Sequence, residues 1–339
     1  MNYAICIIAK NEQKTIGNLI EQLSSQSFLR QTHSGAIHVI CNGCSDETAE
    51  TAREAISAAR FPAGFRSEVL DFKEGGKAKF WNLAVHEIIE PSIDFAIFVD
   101  ADVELADDDV ISDLVKEMEY NDRVVAISGW PIKDIAKKKK KTLIEKFSLR
   151  VSSDSLFLHA INGSLYVARM YELRRIWLPV PIPGEDGMLT AMIHTEGFSR
   201  PPKLERILRA RRPTHYFEAH TALSFFRHEQ RMAVGTTING WLCEYFWSRN
   251  QTDHVGEFIK KLNDMEPEWV DEIVKINVGG KLWALPPRLL TWRLDNLRDV
   301  SILKGIVRAP FSLAATILNL VPCVLANHTL KQRAASSYW

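Results

Sequence analysis

Blocks of apolar and polar residues alternate along the first hundred positions, and they predict strands and helices in turn. Tyr3–Ala9 is a short continuous apolar run, the pattern of a strand covered on both faces. Thr15–Leu23 spaces its apolar residues as a helix does. Ile37–Cys41 is a second apolar run. After it, Ser45-Asp46-Glu47-Thr48 opens a helix to about Ala59, with acids in the first turn where the helix dipole favours them. Glu68–Phe72 predicts a third strand, Gly75-Gly76 a turn, Lys77–Ile89 a helix and Asp94–Val99 a fourth strand. Strands separated by helices predict parallel βαβ units, an α/β chain with a doubly wound sheet.

In such sheets ligands bind beyond the carboxyl ends of the strands. Four polar loops are expected there: Ala9–Glu12, Asn42–Asp46, Gly75–Lys77 and Asp100–Asp102. In the last, two carboxylates stand at i and i+2 on an extended segment and project the same way. Such a pair suits a hard divalent cation that also takes substrate phosphates. It would equally serve as a solvated acidic loop ahead of the helix near Asp107.

The second half reads as helix Val110–Tyr120, strand Val124–Trp130, helix Thr142–Leu158 and strand Ser164–Ala168. Pro179–Pro183 forces an extended approach to Gly184-Glu185-Asp186, and Gly187–His194 is helical. Two acids at a helix start either stabilise that terminus or handle a proton. Leu204–Arg211 reads as a basic strand, with Arg212 beyond it; His215 and His220 follow and read as surface residues. Trp241–Trp247 and Trp283–Trp292 have helical spacing. Ala309–Leu330 carries no charge if His328 is neutral, yet includes Ser312, Thr316, Asn319 and Pro322. A buried hairpin, an interfacial anchor and a short span all fit that stretch.

Composition changes this picture little. The 339 residues are 46% hydrophobic and 25% charged, ordinary for a globular chain. Lys+Arg and Asp+Glu both number 42, so no overall field draws the chain to nucleic acid. Five cysteines, scattered apart from Cys41 and Cys44, suit a reducing compartment, and the N-terminus lacks a signal-peptide pattern. A cytoplasmic location is expected. The five lysines Lys137–Lys141 read either as a solvated loop or as a contact for an anionic membrane surface or phosphorylated acceptor.

Six short motifs occur in one order: Ile8-Ala9-Lys10-Asn11-Glu12, Asn42-Gly43-Cys44-Ser45-Asp46-Glu47-Thr48, Gly76-Lys77-Ala78 with Asn82, Asp100-Ala101-Asp102, Asn162-Gly163-Ser164 and Glu185-Asp186. Together they resemble the family-2 glycosyltransferases of the GT-A fold, over about residues 3–235. The resemblance implies a GT-A-type, mostly parallel sheet flanked by helices, in a transferase domain over 1–235. Residues 1–109 would bind the nucleotide sugar, 110–235 the acceptor, and 236–339 would form a helical C-terminal extension. It implies transfer of a sugar from a nucleoside-diphosphate sugar to a sugar or lipid-linked acceptor. Mn²⁺ or Mg²⁺ would sit on Asp102 and Asp100, with a late histidine, His215 or His220, completing the site if the chain follows some GT-A enzymes, and Ala9, Asn11, Glu12, Asn42, Asp46, Lys77, Asn82 and Asp100 would contact the donor. Gly163, Ser164, Glu185 and Arg231 would line the sugar and acceptor pocket, with Asp186 as catalytic base.

Two departures matter. Where many members carry a nucleobase-reading acid, this chain has Cys41 and Asn42, which leaves the nucleotide open. Where processive members carry Gln-x-x-Arg-Trp, His228 and Met232 replace the Gln and Trp around Arg231, which favours single transfers. A nucleotidyltransferase would need a Gly-rich N-terminal signature that Ala9–Glu12 lacks. A non-catalytic sugar-nucleotide-binding or membrane-docking protein would not need Asp100, Asp102 and Asp186.

Overall fold

A computed structural model describes residues 1–31, 34–142, 145–146, 149, 158–218, 222–249, 253–295, 297 and 302–332. Most of the expected Thr142–Leu158 helix, and His220, lie outside the described residues.

The apolar runs form the strands they predict. β1 (Tyr3–Ala9), β2 (Gly35–Asn42), β3 (Phe65–Phe72) and β4 (Phe95–Val99) lie parallel in the order β3-β2-β1-β4. Ala9 pairs with Cys41 and Ile7 with Val99, so β1, β2 and β4 end at one edge. Ile7, Ile37 and Ile97 are fully buried, each contributing about 1.5–3 kcal/mol by leaving water. The helices Ile16–Ser25, Thr48–Ala58 and Lys77–Leu83 follow β1, β2 and β3. The last continues as a π-helical turn over Ala84–Ile88.

Beyond β4 the sheet stops being parallel. After β5 (Glu104–Leu105) and the Val110–Glu119 helix, the expected strand Val124–Trp130 shortens to β6 (Ala126–Ser128), and a separate strand β7 (Pro131–Lys133) follows it. β8 (Leu165–Arg169) runs antiparallel to both β4 and β6, and β9 (Ile207–Arg209) closes the seven-stranded order β3-β2-β1-β4-β8-β6-β9. β10 (His215–Phe217) joins β5 and β7 in a second, three-stranded sheet. The reversal at β8 fixes the site: Leu165 pairs with Val99, so the segment before β8 arrives where β4 ends.

One core lies on each face of the large sheet. Helices Ile16–Ser25, Thr48–Ala58 and Val110–Glu119 cover one face. The Lys77 helix, Glu185–His194 and the C-terminal helices cover the other. The helix Ala222–Ser248 runs through the expected 235/236 division, so one element serves both parts. Gly256–Met265, Trp269–Val278, Arg288–Asp295 and Ile302–Lys331 complete the C-terminal helices. Trp283 precedes a helix instead of belonging to one.

The expected basic strand is half strand: Leu204–Arg206 is a 3₁₀ turn before β9. Arg206, Arg209 and Arg212 are engaged by neighbouring side chains, while Arg211 stays 87% exposed, 3.5 Å from Glu117. Arg206 pairs with Glu172 at 2.9 Å and Glu196 at 3.2 Å. Arg212 pairs with Asp113 at 2.7 Å and with Asp107, and Arg209 lies 4.0 Å over the Trp130 ring. Of the lysine run, Lys137 pairs with Glu104 and Lys138 with Glu145 at 2.6 Å.

Candidate active site

The pocket forms where β1, β4, β8 and two helix starts meet. It is lined by the charged residues Lys77, Asp100, Glu185 and Asp186, by Gly163, and by an apolar floor that includes Trp81, Phe98 and Tyr166. Each charged group is delivered by an element boundary. Asp100 follows the buried strand β4, and its N–H donates to the Ser164 carbonyl at 2.9 Å, tying the β4 end to the Asn162–Ser164 loop. Lys77 opens its helix after Gly76, whose φ of +135° is readily adopted only by glycine. Glu185 and Asp186 form the first turn of Glu185–His194 after Gly184 at φ +83°.

The Glu185 helix start is held from outside. Asn239, on the Ala222–Ser248 helix, donates to the Gly184 carbonyl at 2.8 Å. One turn earlier the bare backbone of Gly235 lies against Pro183, where a Cβ would come within 2.6 Å of the carbonyl oxygen. Nothing in the sequence marks Asn239 for this work; only the packing of the long helix reveals it. Arg231 shares the stripe of Gly235 and Asn239 one turn further out, and it is exposed.

Lys77 is the hub. Its ammonium lies 2.8 Å from Asp100 Oδ1 and 3.1 Å from Glu185 Oε1. Burial works against that charge, but the two carboxylates overcome it and hold the proton above the ordinary lysine range. Burial likewise raises Asp100, and the nearby Lys77 offsets only part of that rise. Asp186 is pushed up to about 6, by burial first and then by the charge of Glu185, against the opposing pull of Lys77. The Gly187 N–H, donating to Asp186 Oδ1 at 2.8 Å, favours the anion but does not reverse the rise. Gly163 leaves space beside these groups: a Cβ there would stand 3.5 Å from Lys77 Nζ and 3.6 Å from Asp186 Oδ2.

The apolar floor is a part of the site that the motifs do not include. Trp81 donates from Nε1 to the Tyr166 hydroxyl at 2.7 Å, and Phe98 stacks on both rings. Trp81 lies four residues after Lys77, one turn along the same helix face, which is the signal the sequence held.

The loops after β1, β2 and β3 converge as expected, and two asparagines tie the backbone there. Asn42 donates to the Ala9 carbonyl at 2.7 Å and accepts from the Gly76 N–H at 3.1 Å, stapling three loops together. Asn82 is buried, and both its amide atoms are bonded to the Leu178 backbone, at 2.8 and 2.9 Å. Through these two bonds it holds the chain before Pro179. Asn11, at φ +58°, accepts from the Ser45 N–H at 2.7 Å. Asp46 caps its helix by accepting from the Thr48 N–H at 3.1 Å.

Glu12, Asp100 and Asp102 gather acid beside this junction. Burial lifts Glu12 to about 7; the Thr15 hydroxyl opposes that rise, while the charges of Asp102, Asp100 and Asp46 add to it. Asp102 is exposed. His215 is fully buried, a correction to its reading as a surface residue. Its Nε2 meets Ser164 Oγ at 2.7 Å and its Nδ1 meets Thr214 Oγ1 at 2.8 Å. Burial alone drives its pKa down to about 3, so it is neutral. Ser164 is thereby bonded to both His215 and Asn162 Oδ1, a brace for the loop of Gly163.

No curated protein matches the sequence. Among solved structures, the mannosyltransferase PcManGT from Pyrobaculum calidifontis, in complex with GDP-Man and Mn²⁺, is similar with a TM-score of 0.53 at 13% identity, over 96% of this chain and 86% of that one. S. aureus TarS 1-349 matches with a TM-score of 0.47 at 14% identity, over 98% of this chain and 92% of that one. Glucosyl-3-phosphoglycerate synthase from Mycobacterium tuberculosis matches with a TM-score of 0.45 at 15% identity, over 68% and 77%. The first of these supports the GT-A fold. The sequence pattern of glycosyl transferase family 2 matches residues 4–178, just over half of the 339, and the chain belongs to that family of glycosyltransferases.

Proposed function

We propose that the protein moves a sugar from a nucleoside-diphosphate sugar to an acceptor hydroxyl, one sugar at a time and with inversion at the anomeric carbon. The observation that carries this reading is the convergence of Lys77, Asp100, Glu185 and Asp186 around the space left by Gly163. Asp186 is the base. A carboxyl raised to about 6 is ionised at neutral pH yet holds a proton better than an ordinary aspartate. It takes the acceptor proton as the acceptor oxygen bonds to the anomeric carbon and the bond to the diphosphate breaks on the opposite face. No second carboxylate in the pocket stands free as a nucleophile, because Lys77 engages both Asp100 and Glu185. Glu185, fixed by Lys77, orients the sugar or the acceptor, and the apolar floor of Trp81, Phe98 and Tyr166 limits water.

The donor diphosphate belongs at the mouths of the Ala9–Glu12, Asn42–Asp46 and Asp100–Asp102 loops, with Asn11 and Glu12 near the nucleoside. Oxygen donors from Asp102 and Asp100, with Glu12 beside them, fit Mn²⁺ or Mg²⁺, and their mutual repulsion leaves room for positive charge. When bound, such a cation acts as a Lewis acid that neutralises the leaving diphosphate. Among the described residues no group of three His, Cys, Asp or Glu is close enough to hold a metal alone, in keeping with a cation that takes further ligands from substrate phosphates. The acceptor is a sugar or a lipid-linked sugar.

Calorimetry of GDP and UDP binding with Mn²⁺ and with EDTA tests the donor site. Binding is expected only with the cation, and Asp102→Asn is expected to abolish that cation-dependent binding without lowering the unfolding temperature, because Asp102 is exposed. Equal affinity with and without EDTA would overturn the metal assignment.

A further inference from the structure

The helix Ile302–Lys331 inverts the usual surface pattern. A surface helix turns its apolar stripe inward and its polar residues to water. Between Pro310 and Leu325, every exposed residue here is apolar: Pro310, Phe311, Leu313, Ala314, Ile317, Leu318, Leu320, Val321, Val324 and Leu325. The polar residues of that stretch, Ser312, Thr316 and Asn319, are half-buried or buried. At 3.6 residues per turn, the exposed set covers an arc of about 180°, opposite the stripe of Asn319, Cys323, Ala326 and Leu330. Only 28% of the most apolar window of Arg308–Lys331 is buried, so this is no core helix.

The inward side is tied to the protein over its C-terminal half. Asn319 donates to the Leu289 carbonyl at 2.9 Å, and Asn327 accepts from the Ala284 N–H at 2.8 Å. Thr329 Oγ1 accepts from Gln230 at 3.1 Å. A helix clamped this way offers one face to an apolar phase and cannot be surrounded by it, which separates lying on a bilayer from spanning one. The Asn327 clamp also holds Leu282 and Trp283 beside the open arc, 88% and 37% exposed. Tryptophan at such a rim suits the headgroup region. The helix contains no Asp or Glu, and the exposed bases Arg308 and Lys331 flank its exposed apolar stretch.

We propose that this face docks the enzyme on an anionic phospholipid surface, with Ile302–Lys331 lying in the plane of the interface. Apolar side chains enter the acyl boundary, and the bases that flank the stretch meet acidic headgroups. The charge pattern favours lipid over a second copy of the chain, whose identical face would bring the same bases together without acids on that helix to meet them. This inference stands apart from the donor-site reading, since vesicle binding needs neither donor nor turnover.

Flotation of the full chain with phosphatidylcholine vesicles, with and without phosphatidylglycerol, tests it. Binding is expected with phosphatidylglycerol, weaker at high salt, and at least about tenfold weaker in Val321→Glu/Leu325→Glu. Both positions are exposed, so the variant is expected to unfold at the wild-type temperature. Absence of wild-type protein from the anionic vesicle fraction would overturn the proposal whatever the variant does. So would light scattering that shows a stable dimer, unaffected by vesicles and broken by Val321→Glu, which would assign the face to a second copy.

Discussion

Replacing Asp186 with Asn is expected to make the protein more stable and nearly inactive at once. The carboxyl has an ordinary value of 3.8 and is pushed up to about 6, chiefly by burial and then by Glu185. At neutral pH the folded state holds a charge it disfavours. A tenfold change in proton affinity is worth about 1.4 kcal/mol, so this penalty is at most about 3 kcal/mol, and partial exposure reduces it to about 1–3 kcal/mol. Asn keeps the size and can still accept from the Gly187 N–H. By linkage, a carboxyl raised on folding destabilises the folded state fully above about 6, and the effect fades as pH falls toward 3.8. Asp186→Asn is therefore expected to gain stability in urea unfolding at pH 7.5 and to gain almost nothing near pH 4. Turnover, measured as release of nucleoside diphosphate, is expected to fall about 10²–10⁴-fold, the usual share of a general base. Donor affinity should change little, and wild-type turnover should decline as pH drops through about 6. Near-normal turnover would refute the base assignment. A stability gain independent of pH would refute the electrostatic reasoning, and product of retained configuration would refute inversion.

Lys77→Met should leave Asp100 and Glu185 without their shared cation and cost about 3 kcal/mol at neutral pH. The loss should shrink in acid, as protonated carboxyls need no counter-charge, and a loss that does not vary with pH would count against the hub. Gly163→Ala adds a methyl at van der Waals distance from Lys77 and Asp186. Thermal unfolding should be unchanged while the nucleotide sugar binds about tenfold or more weakly, with affinity for the free diphosphate retained. His215→Phe should destabilise by about 1–3 kcal/mol, because Ser164 and Thr214 lose buried partners. It should leave Mn²⁺ affinity intact; weakened Mn²⁺ binding in a folded variant would show that the histidine serves the cation.

The sequence by itself determined the strand order of chemistry along the chain. Continuous apolar runs in β1, β2 and β4 have no other stable setting than a covered sheet, and the polar loops after them then share one edge. That is why the loops of Asp100, Lys77 and Asn42 are legible from the pattern as neighbours at one edge, while their roles rest on the resemblance to the family. The turn before Glu185 was legible too, since proline and glycine restrict the backbone locally. What the sequence left open depends on contacts between distant segments. Asn82 and Asn42 look like ligand contacts in a motif, and only the positions of Leu178, Ala9 and Gly76 show their amides already bonded. His215 reads as a surface histidine until β10 lies under Ser164. The proton affinity of Asp186 had two opposing local causes, a helix start and a neighbouring acid; burial, a property of the assembled pocket, decides between them. The tail was ambiguous for the same reason. Its apolar residues surround the helix in sequence, and only packing on one side shows which half is covered and which half faces out.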